Sequence, residues 1–164
     1  MANQDHMTTI KSGAEAWNKW REENPGVKPD LAWANLGGIN LTGANLEGVN
    51  MKLAFCKGSR FNGARLGGAT LFGTNLEGAD MTGAALEGAT LEGAHLIKAD
   101  LSGANLAGAN LKLANMQDAV LEGADLRGCI KLTAEQLSSV KTLRDAKLDP
   151  ALSEQLSNTH PELF

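Results

Sequence analysis

The residues of this 164-residue chain best suited to metal or nucleophilic chemistry are three histidines and two cysteines. His6, His95 and His160 fall near the start, in the middle and near the end, a spacing that assembles no metal-ligand set. Cys56 and Cys129 are too few for a disulfide framework, and no serine–histidine–aspartate or cysteine–histidine arrangement is suggested. The 19 glycines mimic phosphate-binding loops only at first sight. Fifteen of them fall on a five-residue period, one suited to repeated corners rather than to one cradle before a helix. The sequence therefore offers no catalytic residue, no cofactor site and no metal site, and it reads as a non-enzyme.

The glycine period belongs to a longer pattern. From Leu31 to Leu126 every fifth residue is large and apolar: fifteen Leu, three Met (Met51, Met81, Met116), Phe61 and Cys56. Ala lies two before most of them, and Gly lies two after in fifteen of the twenty cases, as in Ala44-Asn45-Leu46-Glu47-Gly48. Residues two apart in an extended segment point the same way, so Ala and Leu face inward and the residue between them faces water. Gly then turns the corner with a positive φ. One unit cannot bury its own Leu, whereas stacked units bury a continuous column. At about 1.5–3 kcal/mol per buried Leu-sized side chain, twenty such positions make a core despite an aromatic content of only 4%. Cys56 sits in that column and is read as inert.

This unbroken run resembles the pentapeptide-repeat family. The resemblance implies an all-β solenoid, a right-handed quadrilateral β-helix with four units per turn. The period alone does not fix the number of sides, but charge does modestly. Four sides stack residues twenty apart and pair Lys57 with Glu77, Arg60 with Asp80, and Glu92 with Lys112, whereas three sides pair only Arg65 with Asp80. The run then makes about five coils, roughly 24 Å long at ~4.8 Å per coil. Asp80 and Asp100 share a column, but a filled coil gives such a carboxylate pair no pocket. His95 occupies an outward slot and is read as a solvated surface histidine.

The ends need covering, because an open coil exposes both its backbone edge and its Leu column. Ile10, Ala14 and Trp17 fall at helical spacing and predict one helix over 9–23, started by a Ser12/Glu15 capping box and ended by Pro25-Gly26. Thr133 and Gln136 predict a second capping box, for a helix running to Leu143. Ala146-Lys147-Leu148 reads as an out-of-phase repeat unit, and Asp149-Pro150 starts a last short helix. The organisation expected is thus 1–30 N-terminal tail and capping helix, 31–130 pentapeptide-repeat β-helix, and 131–164 C-terminal helical cap. Two covered ends predict a monomer.

A net charge of −4 and a pI near 5.4 give no basic excess for phosphates, so nucleic acid is not the expected partner. No apolar stretch approaches the ~20 residues that span a bilayer. The opening MANQDHMTTI lacks the pattern of a secretory signal, which predicts a cytoplasmic protein without a membrane partner.

The outward slots hold one anomaly. Phe55 and Phe72 stand where polar residues are the rule, and Trp33 and Leu53 replace corner glycines. On the four-sided scheme these four converge on one edge of the upper coils. Either the N-terminal helix or its linker folds over that edge and buries it, or the edge is a contact patch for a protein partner. Members of the family act as interaction proteins in cyanobacterial cell differentiation, and the layout here, including the Pro161-Glu162-Leu163-Phe164 ending, is similar to cyanobacterial members. The resemblance thus implies a structural scaffold binding another, unidentified protein. Its alternative is a DNA mimic that regulates a type II topoisomerase, as quinolone-resistance members do. Nine acids against seven bases over the repeats, with a wholly basic stretch at 51–70, make poor mimicry. A polar ladder of Thr42, Asn62, Thr82 and Ser102 is one residue wide and interrupted by Glu122, too narrow for an ice-binding face.

Overall fold

The computed structural model describes residues 2–164. Its backbone repeats every twenty residues: parallel bridges join Asp30 to Asn50, Asn35 to Phe55, Asn40 to Arg60 and Asn45 to Arg65, and so on to Asn110 with Ile130. Four five-residue units therefore make one turn, and each unit is one side. Along most of the wall the bridged residue is the outward one, lying between two that are buried, such as Ala44 and Leu46 around Asn45. Stacked turns exchange backbone hydrogen bonds, as in Leu46 N–H to Arg65 O at 2.7 Å and Arg65 N–H to Ala44 O at 2.9 Å. The inward Leu, Met, Phe61 and Cys56 side chains fuse with the Ala columns into one core. At the corners the chain takes positive φ, for example 67° at Gly38.

The N-terminal segment differs from the single helix the spacing predicts. It forms two helices, α1 (Gln4–Lys11) and α2 (Ala14–Glu23). Asn3, not Ser12, starts the first, its Oδ1 accepting from the Asp5 and His6 N–H groups at 2.9 and 3.1 Å. Ser12 ends α1, and Gly13, at φ 102°, redirects the chain through a conformation that L side chains rarely adopt. The break lets α1 and α2 serve different sides of the first turn. Trp17 Nε1 donates to Asn45 O, Asn18 bonds both Gly43 O and Asn45 N–H, and Arg21 donates to Glu47 O. His6 Nδ1 accepts from the Asp30 N–H at 3.0 Å. Side chains thus take up backbone groups that no earlier turn can reach. Ile10 and Trp17 join the core with no exposed surface.

At the other end the Thr133–Gln136 capping box forms as expected, but α3 (Ala134–Leu137) is a single turn and stops six residues before Leu143. The chain leaves it to resume the wall two residues out of phase, bridging Val120 to Thr142 and Asp125 to Lys147. Leu137, Val140 and Leu143 still reach the core. Ladder pairing therefore outweighs helix continuation here. Helix α4 (Pro150–Thr159) follows and buries Leu156, and its N-cap Asp149 turns its carboxylate to the Gly128 N–H at 3.0 and 3.1 Å.

Candidate functional site

The four apolar residues singled out in the sequence lie on one corner and the side beside it. Trp33 and Leu53 stack along the corner, each at positive φ (65° and 56°), with the Trp33 N–H on Lys52 O and the Leu53 N–H on Phe72 O. Phe72 precedes the corner glycine Gly73, and Phe55 is bridged between Asn35 and Asn75 on the next side. Leu53 leans over Gly73 and Phe55 over Gly37: a Cβ at either glycine would come within 2.7 or 2.8 Å of those side chains. The Lys52 ammonium stands 5.2 Å from the Phe72 ring centre, a cation–π contact. Trp33 is 64% exposed, Phe55 44% and Phe72 38%, and Leu53 is half-buried.

Of the two readings of this edge, cover by the N-terminal helix fails for Trp33. Helix α2 bonds residues 43–47, around the coil from the corner, and Trp20 stacks on Trp17 and His6 instead. One further residue of the kind was missed. Leu113 occupies the same corner column as Trp33 and Leu53, with φ 57° and 75% exposure. Its signal was the same one, a large apolar residue in a glycine slot.

The charges around the wall follow the twenty-residue stacking only in part. Lys57–Glu77 and Lys112–Glu92 pair at 2.9 Å as expected. Arg60 and Asp80 are bridged neighbours without an ion pair, because Thr82 and Asn62 bond the Asp80 carboxylate. Burial opposes ionisation of Asp80, but those bonds and nearby Arg60 outweigh it and hold the carboxyl below the usual range. Arg65 reaches back to Glu47 at 2.7 Å rather than to Asp80. Among the described residues Lys52 has no carboxylate partner.

Chemistry is not assembled elsewhere. His6 is buried, His95 is exposed and His160 lies 3.1 Å from Glu162. Burial pushes the Cys56 and Cys129 thiols up to about 12. Among the described residues no group of His, Cys, Asp and Glu could hold a metal ion, and no helix is long and apolar enough to cross a membrane.

Comparison with known proteins sets this arrangement in context. The family model described as pentapeptide repeats matches in eight copies over residues 30–68, 59–96 and 94–130. Members of that family fold as right-handed quadrilateral β-helices and serve in general as structural or interaction scaffolds. Solved structures similar to the chain include a pentapeptide-repeat protein from the Arabidopsis thaliana thylakoid lumen, at 33% identity over 53% of this chain and 64% of that one, with a TM-score of 0.47. HetL, a pentapeptide-repeat protein involved in heterocyst differentiation regulation in a Nostoc cyanobacterium, is 30% identical over 74% of this chain and 58% of its own, TM-score 0.30. The chain thus spans less than two thirds of either protein. QnrB1, a plasmid-mediated fluoroquinolone resistance protein, matches at 20% identity over 79% of this chain and 82% of its own, TM-score 0.39. No curated protein matches the sequence.

Proposed function

The chain belongs to the pentapeptide-repeat family, and we propose that it is a non-enzymatic scaffold whose rigid wall presents one apolar edge to another protein. The observation that carries this reading is the corner of Trp33 and Leu53. A left-handed backbone costs an L residue roughly 1–2 kcal/mol, which the neighbouring corner glycines avoid. Exposing an indole at the same position adds a second cost. A corner built only for stability would hold glycine; Lys98 and Asp118 carry the same strain with polar side chains, so it is the exposed indole of Trp33 beside the half-buried Leu53 that marks a contact surface. Phe55 and Phe72 extend it, and Lys52 gives it a positive rim.

The organisation that goes with this reading is a five-coil β-helix over 31–130, a cap over 1–30 and a helical cap over 131–164. Helices lying over both ends of the wall support a monomer. A cyanobacterial source rests on the likeness to cyanobacterial members alone.

The topoisomerase-mimic alternative gains little here, since two basic side chains of the second coil, Lys52 and Arg60, carry no paired carboxylate. A gyrase-inhibition assay showing protection would restore it.

The test is an affinity pull-down from the source organism's lysate, run beside a folded Phe55→Ser/Phe72→Ser variant. A protein held by the parent and lost by the variant supports the edge. The same proteins retained by both, or none by either, removes it.

A further inference from the structure

The upper rim of the wall is capped on two sides and open on the other two. In every later turn the outward residue of a side directs both its N–H and its carbonyl to the turn above. The Phe55 N–H donates to Ala34 O, and Phe55 O accepts from the Leu36 N–H, at 2.8 Å each. The first turn has no turn above it, and its outward residues are Asp30, Asn35, Asn40 and Asn45. For Asp30 the N-terminal segment supplies both partners, His6 Nδ1 for the N–H and the Asn3 N–H for the carbonyl. For Asn45 helix α2 supplies both, Asn18 Oδ1 and Trp17 Nε1. Asn35 and Asn40 have neither partner among the described residues.

Their own side chains do not close the gap. Asn35 Oδ1 accepts from the Gly37 N–H at 3.3 Å and Asn40 Oδ1 from the Thr42 N–H at 3.2 Å, so both are spent along the chain. Both residues are exposed. Lys11, the last residue of α1, and the stretch Asn35–Ile39 line a cleft of about 230 Å³ that holds no carboxylate. Lys11 is exposed and forms no ion pair among the described residues.

We propose that the rim at Asn35 pairs with an extended, acidic segment of a partner protein, which supplies the absent rung. The free groups select that occupant. Asn35 offers a donor and an acceptor on one edge, and a single extended backbone meets both. Ala34 O and the Leu36 N–H, on either side of one outward residue and between two corners, do this for Phe55. A carboxylate alone serves only the N–H, and an ammonium only the carbonyl. The helical solution at Asn45 does not transfer, because one helix turn, ~10–12 Å across and ~5.4 Å tall, exceeds the cleft beside Lys11. An uncovered strand edge is also the surface that recruits another chain. Lys11 sets the charge, since it can take an acidic side chain of the segment. The pairing uses no aromatic side chain of the Trp33 corner and stands even if that corner has no partner.

The experiment selects binders to the full chain from a random heptapeptide library displayed on phage. In the free ¹⁵N-labelled chain the Asn35 amide should exchange its hydrogen at least tenfold faster than the paired Phe55 amide. The tightest acidic peptide should shift the Asn35 signal, slow its exchange at least tenfold, and leave the Asp30 and Asn45 amides unmoved. Methylating the peptide's backbone nitrogens one at a time should abolish binding at one position and spare both neighbours, the alternation of a paired strand. Asn35→Pro removes an N–H that bonds nothing within the chain, so it should melt close to the parent and bind about tenfold more weakly. Lys11→Glu, at an exposed position, should weaken binding to a similar degree, and Phe72→Ser should leave it unchanged. No enriched peptide that moves the Asn35 amide, methylation tolerated at every nitrogen, or undiminished binding to Asn35→Pro overturns the proposal and leaves the rim to water.

Discussion

The Leu53 side chain rests on Gly73 so closely that a Cβ there would lie 2.7 Å from Leu53 Cδ2. The corner glycine at 73 thus has two duties, a φ of 59° and room for the residue stacked above it. Gly78, at φ 62° with nothing near its missing Cβ, has only the first. Alanine at either position should destabilise by about 1–2 kcal/mol through backbone strain. Gly73→Ala should cost more than Gly78→Ala by up to ~1 kcal/mol, and Leu53→Ala in the same chain should remove the excess. Urea unfolding of the four variants measures both. Equal costs would mean that Leu53 does not lie on the glycine.

Leu113 invites the opposite experiment. It makes the corner at φ 57° with its side chain mostly in water. Leu113→Gly relieves roughly 1–2 kcal/mol of strain against ~0.5–1 kcal/mol of added chain entropy. The variant should be stabilised by about 0.5–1 kcal/mol, read as a raised melting temperature. Loss of stability would show that the side chain is there for packing.

Acid should probe the last turn. The Arg127 side chain, bonded to Asp125, is the main cause holding that carboxyl down at about 2, with the Arg127 N–H and Lys147 adding to it. The folded value is below the ordinary ~3.9. The pair's contribution is therefore present above about pH 4 and disappears as pH falls through 2. Arg127→Ala should raise the Asp125 value, followed by ¹³C carboxyl titration. Its unfolding midpoint should trail the parent's at pH 6 and meet it below pH 2. A gap that persists below pH 2 would assign the effect to packing of the Arg127 stem.

The wall was legible in the sequence because its physics is local: each unit turns its own corner, and the unbroken phase from Leu31 to Leu126 leaves no competing register. The ends were less so. Ser12 has capping-box spacing with Glu15, yet Asn3 and Gly13 set the helices, since the backbone edge of the first turn decides where Trp17 and Asn18 must reach. Likewise the steps of three from Leu137 to Val140 and from Val140 to Leu143 suggest a continuing helix, but pairing of Thr142 with Val120 claims that stretch for the wall. Such choices depend on contacts far along the chain. The edge of Trp33 and Phe55 was found by its departure from the pattern, and Leu113 could have been found in the same way. The open rim at Asn35 was not readable at all, because the repeat starts alike on all four sides and only the positions of α1 and α2 leave Asn35 and Asn40 uncapped.

A photo-crosslink tests the exposed corner most directly. Benzoylphenylalanine in place of Trp33, irradiated in cells of the source organism, should give one discrete adduct with another protein. That adduct should be absent in the Phe55→Ser/Phe72→Ser background, and absent when the probe replaces Ala85 on the opposite side of the coil. No adduct from position 33, or the same adduct from position 85, would contradict the claim that this corner is where a partner docks.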